Sequence, residues 1–95
     1  MKLRYTRKAA SELAEVLAYI DERSPQGARR VKASIEATID LLLQHPYSGR
    51  LTSKGRLRRV VAYPFPYLIF YRVTKDEIVI HGVRHGARHP SSMPA

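Results

Sequence analysis

The 95-residue chain contains no cysteine, which excludes a disulfide framework and a cysteine-based metal site. This absence is expected of a protein that works in the reducing cytoplasm. No stretch approaches the roughly 20 apolar residues that span a bilayer. The basic N-terminal segment also lacks the apolar core of a secretory signal. The length predicts one small domain with a narrow stability margin, which a partner that covers apolar surface would widen.

Acidic residues are scarce, with 8 Asp and Glu against 17 Lys and Arg, so the net charge is +9. None of the acids lies between Leu41 and Lys75, where the basic residues are Arg50, Lys54, Arg56, Arg58, Arg59, Arg72 and Lys75. A field of one sign attracts polyanions, either nucleic acid or an acidic protein. The simpler alternative is a basic surface that keeps the protein soluble and has no specific ligand.

Two amphipathic helices are predicted in the first half of the chain, at residues 7–23 and 25–44. Apolar residues recur on one face of each, with the spacing of a 3.6-residue period. They are Ala10, Leu13, Leu17 and Ile20 in the first helix and Ala28, Val31, Ile35, Ile39 and Leu42 in the second. Thr6 is a predicted N-cap, and Ser24-Pro25 is a strong start signal. Because almost no linker separates them, the helices should form an antiparallel hairpin.

The stretch Tyr63–Val73, Y-P-F-P-Y-L-I-F-Y-R-V, organises the second half. It holds five of the eight aromatic residues (six Tyr and two Phe). Both prolines precede Tyr67, so Tyr67–Val73 is predicted to be a central strand. Flanking strands are predicted at residues 2–5, 56–63 and 78–84, joined by turns that contain Gly, Pro and Asp.

These elements predict an α+β fold in two layers, in the order β-α-α-β-β-β. An N-terminal strand precedes the helical hairpin, and a three-stranded antiparallel meander follows it. The single domain is expected to occupy residues 1–89. Residues 90–95 are expected to form a disordered tail.

The motifs H-P-Y-S-G-R (45–50), L-R-R-V-V (57–61), P-Y-L-I-F-Y-R-V (66–73) and I-H-G-V-R-H-G-A-R (80–88) occur in this order. Together with the element order, length and charge, they resemble toxins of the RelE/ParE superfamily. These proteins are the toxins of bacterial type II toxin–antitoxin, or plasmid stabilisation, modules. The resemblance covers about residues 2–89.

The superfamily includes RelE-like ribonucleases that cut mRNA on the ribosome and ParE-like toxins that poison DNA gyrase. Cleavage without a metal needs groups that move protons and cations that neutralise the phosphate. RelE-like nucleases carry an arginine in the central strand, where this chain has Leu68 after Pro66-Tyr67. Because leucine can do neither task, the resemblance favours the ParE branch, with no catalytic residues. The alternative ribonuclease would use Lys54, Arg58, Arg84 and His85.

The ParE interpretation implies two sets of contact residues. The target-binding set is predicted to be Arg50, Arg59, Arg84, His85 and Arg88. The antitoxin-binding set is predicted to be Arg58, Tyr67 and Arg72. Adjacent Arg58 and Arg59 must point to opposite faces of their strand. Arg72 is expected either to pair with a carboxylate or to lie on the open face of the sheet.

The resemblance implies an acidic, ParD-like antitoxin with a DNA-binding N-terminal part, and a hetero-oligomeric complex. A flexible antitoxin segment would add a strand to the sheet edge or place a helix beside the hairpin. We expect no cofactor and no metal, since four histidines without cysteine or nearby acids make a poor ligand set. A third hypothesis is a basic interaction module without toxicity.

Overall fold

The computed structural model describes residues 1–86, which form two helices and five strands. In chain order they are β1 (Lys2–Tyr5), α1 (Arg7–Arg23), α2 (Pro25–Gln44), β2 (Arg50–Leu51), β3 (Arg58–Val61), β4 (Tyr67–Val73) and β5 (Glu77–His85). The predicted α+β architecture and the bounds of both helices are confirmed. The predicted tail, residues 90–95, lies outside the described residues.

Two hydroxyl caps define the helical hairpin. The Thr6 hydroxyl accepts a hydrogen bond from the Ala9 amide at 3.0 Å, and the Ser24 hydroxyl accepts one from the Gly27 amide at 2.9 Å. The Ser24 amide also donates to the carbonyl of Ile20 at 2.7 Å, so one residue ends α1 and begins α2. Each hydroxyl cap is worth about 1 kcal/mol.

The sheet has the strand order β1-β5-β4-β3-β2. The predicted meander β3-β4-β5 is antiparallel, whereas β1 lies parallel to β5, so the sheet is mixed. A two-residue strand, β2, which no sequence pattern predicted, lies between α2 and β3 and pairs with β3. Local patterns did not indicate either pairing, because each depends on a partner strand elsewhere in the chain.

The helices cover one face of the sheet and form the core there. Its buried residues are Ala9 of α1, Val31, Ile35, Ile39 and Leu42 of α2, Ala62, Ile69, Tyr71, Ile78, Ile80 and Val83. The stripe predicted for α2 is buried throughout. In α1 the prediction was wrong for Ala10, which is exposed while Ala9 is buried. Ala9 lies four residues before Leu13 and shares its face, whereas Ala10 is rotated about 100° away.

The second face of the sheet, called here the open face, has no helix packed on it within residues 1–86. Side chains alternate along β4, so Leu68, Phe70 and Arg72 point away from the core residues Ile69 and Tyr71. Phe70 and Val79 are nevertheless almost fully buried on this face.

The Tyr71 hydroxyl fastens the turn after α2 to the central strand. It donates to the carbonyl of Pro46 at 2.9 Å and accepts from the Gly49 amide at 2.8 Å. Burial raises the pKa of Tyr71, which keeps the hydroxyl protonated. A Cβ at Gly49 would collide with this hydroxyl and lie 2.9 Å from the carbonyl of Arg59. The turn therefore requires glycine at position 49.

Replacing Tyr71 by phenylalanine should lower the free energy of unfolding by about 1–3 kcal/mol, because the Pro46 carbonyl and the Gly49 amide lose their partner in a buried site. Urea denaturation measures this change. Tyr63→Phe is the matched control, because that residue is 79% exposed. Removing its hydroxyl should lower the free energy of unfolding by no more than about 0.5 kcal/mol. Equal effects of the two substitutions would contradict the role of the Tyr71 hydroxyl.

Candidate partner-binding and target-binding surfaces

A groove of about 670 Å³ runs between α2 and β3 and is called here the α2–β3 groove. Its α2 wall includes Ala33, Ala37 and Leu41, which recur every four residues on an exposed side of the helix. Its sheet wall includes Val61 and Tyr63. Leu41 and Tyr63 are 58% and 79% exposed, so the groove presents large apolar side chains to solvent.

The Ser34 hydroxyl links the two walls of this groove, with its one proton shared between two carbonyls. The Ser34 hydroxyl lies 3.1 Å from the carbonyl of Ala62 and 2.7 Å from that of Tyr63. These bonds tie the middle of α2 to the segment that follows β3. Ser34 is therefore a polar connection between the walls of a groove whose lining is largely apolar.

The edge of β3 beside the groove is only partly paired. The short strand β2 covers Arg58 and Arg59. No second strand is paired with Val60 and Val61 on that side within residues 1–86. An unpaired strand edge next to an apolar groove can accept an added strand, a helix, or both.

None of the three predicted antitoxin-binding residues lines the α2–β3 groove. Arg58 donates to the carbonyls of Tyr47 at 3.2 Å and Gly49 at 2.8 Å, so it stabilises the turn after α2. Tyr67 is half-buried and meets the His85 ring edge-on, with centroids 5.3 Å apart. Arg72 lies on the open face, one of the two places expected for it.

The groove residues of α2 were not predicted from the sequence, because the stronger apolar stripe of this helix is the one that faces the core. Ala33, Ala37 and Leu41 form a second stripe with a four-residue spacing, offset from the buried one. An apolar stripe on the exposed side of a helix is the sequence signal of a surface reserved for a partner.

The predicted target-binding residues divide between two regions. Arg50 and Arg59 are exposed and lie opposite each other on β2 and β3. Arg84 instead pairs with Glu12 at 2.8 Å, with both side chains only 20% exposed, and His85 packs against Tyr67. Arg88 lies outside the described residues. Arg50 and Arg59 are therefore the exposed pair of this set.

The alternative catalytic residues Lys54, Arg58, Arg84 and His85 are not gathered around one point. Arg58 is opposite Tyr71 and Arg84 is opposite Leu68, on the two strands that flank β4. Strand geometry places their backbones about 14 Å apart. Both guanidinium groups also have other partners, the carbonyls of the turn for Arg58 and Glu12 for Arg84.

The position that RelE-like nucleases fill with arginine holds a half-buried leucine. Leu68 lies between Val61 and Arg84 in the sheet. Within residues 1–86, no cluster of three or more His, Asp and Glu side chains is arranged to hold a metal ion. Neither of the described helices is long and apolar enough to cross a membrane.

Residues 3–90 match the family model described as the ParE toxin of the type II toxin–antitoxin system parDE. The chain is 37% identical over 75 residues to the putative toxin Y4kP of Sinorhizobium fredii, covering 79% of this chain and 78% of that one. It is 34% identical over 84 residues to the toxin RelE2 of Caulobacter vibrioides, covering 88% and 93%.

A solved structure has the same fold. A chain of the chromosomal ParDE toxin–antitoxin system from P. aeruginosa superposes with a TM-score of 0.78, covering 90% of this chain and 95% of that one at 24% identity. The family match begins at the second residue of β1 and includes both helices and the other four described strands. The chain therefore belongs to the ParE toxin family of type II toxin–antitoxin systems.

Proposed function

We propose that this toxin stops growth by binding DNA gyrase and trapping its cleaved DNA, without chemistry of its own. The proposal rests on the residues at the positions that RelE-like nucleases use for cleavage. Leu68 stands where cleavage needs a cation, and the guanidinium groups of Arg58 and Arg84 are already paired. A toxin without a cleavage site must act by occupying its target. Gyrase as the target also implies action in the cytoplasm.

The exposed pair Arg50 and Arg59 is the proposed contact with gyrase or its DNA. The two residues face each other across β2 and β3, at the end of the sheet where β2 is the outermost strand. Exposed arginines at a sheet edge attract an anionic surface, and their planar guanidinium groups can form paired hydrogen bonds with it.

The purified chain should abolish plasmid supercoiling by gyrase in the presence of ATP and should make cleaved plasmid accumulate. The double substitution Arg50→Gln/Arg59→Gln should raise the concentration that gives half-inhibition by about five- to tenfold, because two cations leave the contact. Arg29→Gln, at an exposed position of α2, is the matched control. Full supercoiling at saturating toxin would refute the gyrase proposal.

The second candidate is a ribosome-dependent mRNA endoribonuclease, which the 34% identity to a toxin named RelE2 favours. A translation-dependent mRNA cleavage assay run beside the gyrase assay separates the two functions. Cleaved mRNA with unaffected gyrase would establish this alternative. It would also mean that Lys54, Arg58, Arg84 and His85 move together when mRNA binds. Normal growth during expression without an antitoxin would favour the non-toxic module.

The proposed occupant of the α2–β3 groove is an amphipathic segment of an acidic, ParD-like antitoxin. Family membership supports an antitoxin partner, and the groove offers an apolar lining with Arg30 at its border. Apolar residues of the segment would cover Leu41 and Tyr63, while its acids would lie near Arg30. The antitoxin's DNA-binding N-terminal part would extend beyond the toxin, in a hetero-oligomer.

Ala37→Glu should weaken antitoxin binding about tenfold or more, because the new carboxylate would be buried without a partner under an apolar segment. Titration calorimetry with the cognate antitoxin measures the affinity, and growth on co-expression measures neutralisation. Ala18→Glu makes the same change at an exposed alanine of α1 and should leave both unchanged. If both variants lost affinity equally, or if Ala37→Glu lost none, the antitoxin would have to bind outside the α2–β3 groove.

A further inference from the structure

Three adjacent strands place two arginines in one row on the open face. Val79 of β5 pairs with Arg4 of β1 on one side and with Arg72 of β4 on the other. Because paired residues point to the same face, Arg4 and Arg72 flank the buried Val79. This row lies on the face that the helices do not cover, away from the α2–β3 groove.

A β-bulge in β5 adds His81 to this row. Phe70 pairs with Gly82 and Tyr71 pairs with Ile80, which leaves His81 as the extra residue. Burial lowers the pKa of His81, and the positive charges of Arg72 and Arg4 lower it further. The guanidinium groups of Arg72 and Arg4 are therefore close enough to act on the imidazole as positive neighbours, in addition to the larger effect of burial.

Among residues 1–86 the Nε atoms of Arg72 and Arg84 are both buried without a hydrogen bond of good geometry, but only that of Arg84 has a carboxylate, Glu12, at 2.8 Å. Arg58 has the carbonyls of the turn and Arg84 has Glu12. The nearby acid Glu77 is paired with Arg4 at 3.3 Å. A buried guanidinium donor without an acceptor is unfavourable in the free protein, so an acceptor from a ligand would be strongly favoured there.

Arg72 also lines a concavity of about 520 Å³ with Arg56, Val73, Thr74 and Lys75. Three of these five residues are cations and none is an acid. Arg59 lies on the open face opposite Phe70, two residues along β4 from Arg72. Two residues along a strand correspond to about 7 Å. Arg59 therefore places a further cation on the same face, beside the concavity.

We propose that this concavity is a phosphate-binding site, in which Arg72 at the base and Arg56 and Lys75 at the rim bind the backbone of a nucleic-acid strand. Several cations around one point suit the oxygens of a phosphate group, and guanidinium groups bind it with paired hydrogen bonds. The further cation at Arg59 suits a chain of phosphates better than a single carboxylate. The site does not depend on which enzyme the toxin inhibits.

Binding of a fluorescent single-stranded oligonucleotide to the full chain, followed by anisotropy at several salt concentrations, tests the site. Arg72→Gln should weaken binding about five- to tenfold and reduce the slope of log K against log salt by about 1, as expected for one lost phosphate contact. Arg29→Gln removes an exposed charge of the same type from α2 and should keep the slope. Equal slopes in the two variants would overturn the proposal.

His81 provides a second readout that a purely structural arginine would not change. Inorganic phosphate bound at Arg72 should raise the pKa of His81, measured by NMR titration of the imidazole, because an anion opposes the fields of Arg72 and Arg4. The response should vanish in Arg72→Gln. If a glutamate decapeptide produces the same Arg72-dependent response while the oligonucleotide does not bind, the site takes carboxylates and the proposal is wrong.

The lowered pKa of His81 also predicts a pH dependence of stability without phosphate. The unfolded chain binds a proton near the ordinary pKa of 6.5, whereas the folded chain binds it only at lower pH. Stability should therefore fall as the pH drops below about 6.5 and level off below the folded pKa. His81→Gln should flatten this decline in urea midpoints, and added phosphate should reduce it in the parent chain. An unchanged decline in His81→Gln would contradict this origin.

Discussion

The hydroxyl of Tyr71 is the contact on which the arrangement of this small domain depends. Tyr71 is fully buried in the central strand among residues of both layers. Its hydroxyl holds the turn that follows α2 through Pro46 and Gly49. That turn sets where β2 and β3 begin, and Arg58 fastens it from the neighbouring strand. One buried polar group thus links the core to the basic segment that follows.

The two faces of the sheet have different tasks because the helical hairpin can cover only one of them. The covered face holds the apolar core, which a chain of 95 residues needs in full. The open face and the edge beside β3 remain for other molecules. The α2–β3 groove is apolar and suits a protein segment, whereas the Arg72 concavity is cationic and suits phosphate. Antitoxin and nucleic acid would therefore occupy separate surfaces.

Three half-buried arginines lie in strands of the same sheet but have different environments. Arg58 is bound to carbonyls of a turn, Arg84 is paired with Glu12, and Arg72 has a buried donor without a described acceptor. The guanidinium groups of the first two have partners in the free chain. The distinction bears on function, since a cation that already has a partner is poorly available to a ligand.

The helices, the central strand, the α+β order and the resemblance to the family could all be predicted from the sequence. These features depend on local signals, such as the Thr6 and Ser24 caps, the apolar stripe of α2 and the prolines before Tyr67. The parallel position of β1, the short strand β2 and the bulge at His81 could not be predicted, because strand pairing depends on partners elsewhere in the chain. The same holds for the partners of each arginine. Glu12 and Arg84 are 72 residues apart, and no periodicity or spacing connects them until the sheet brings β5 against α1.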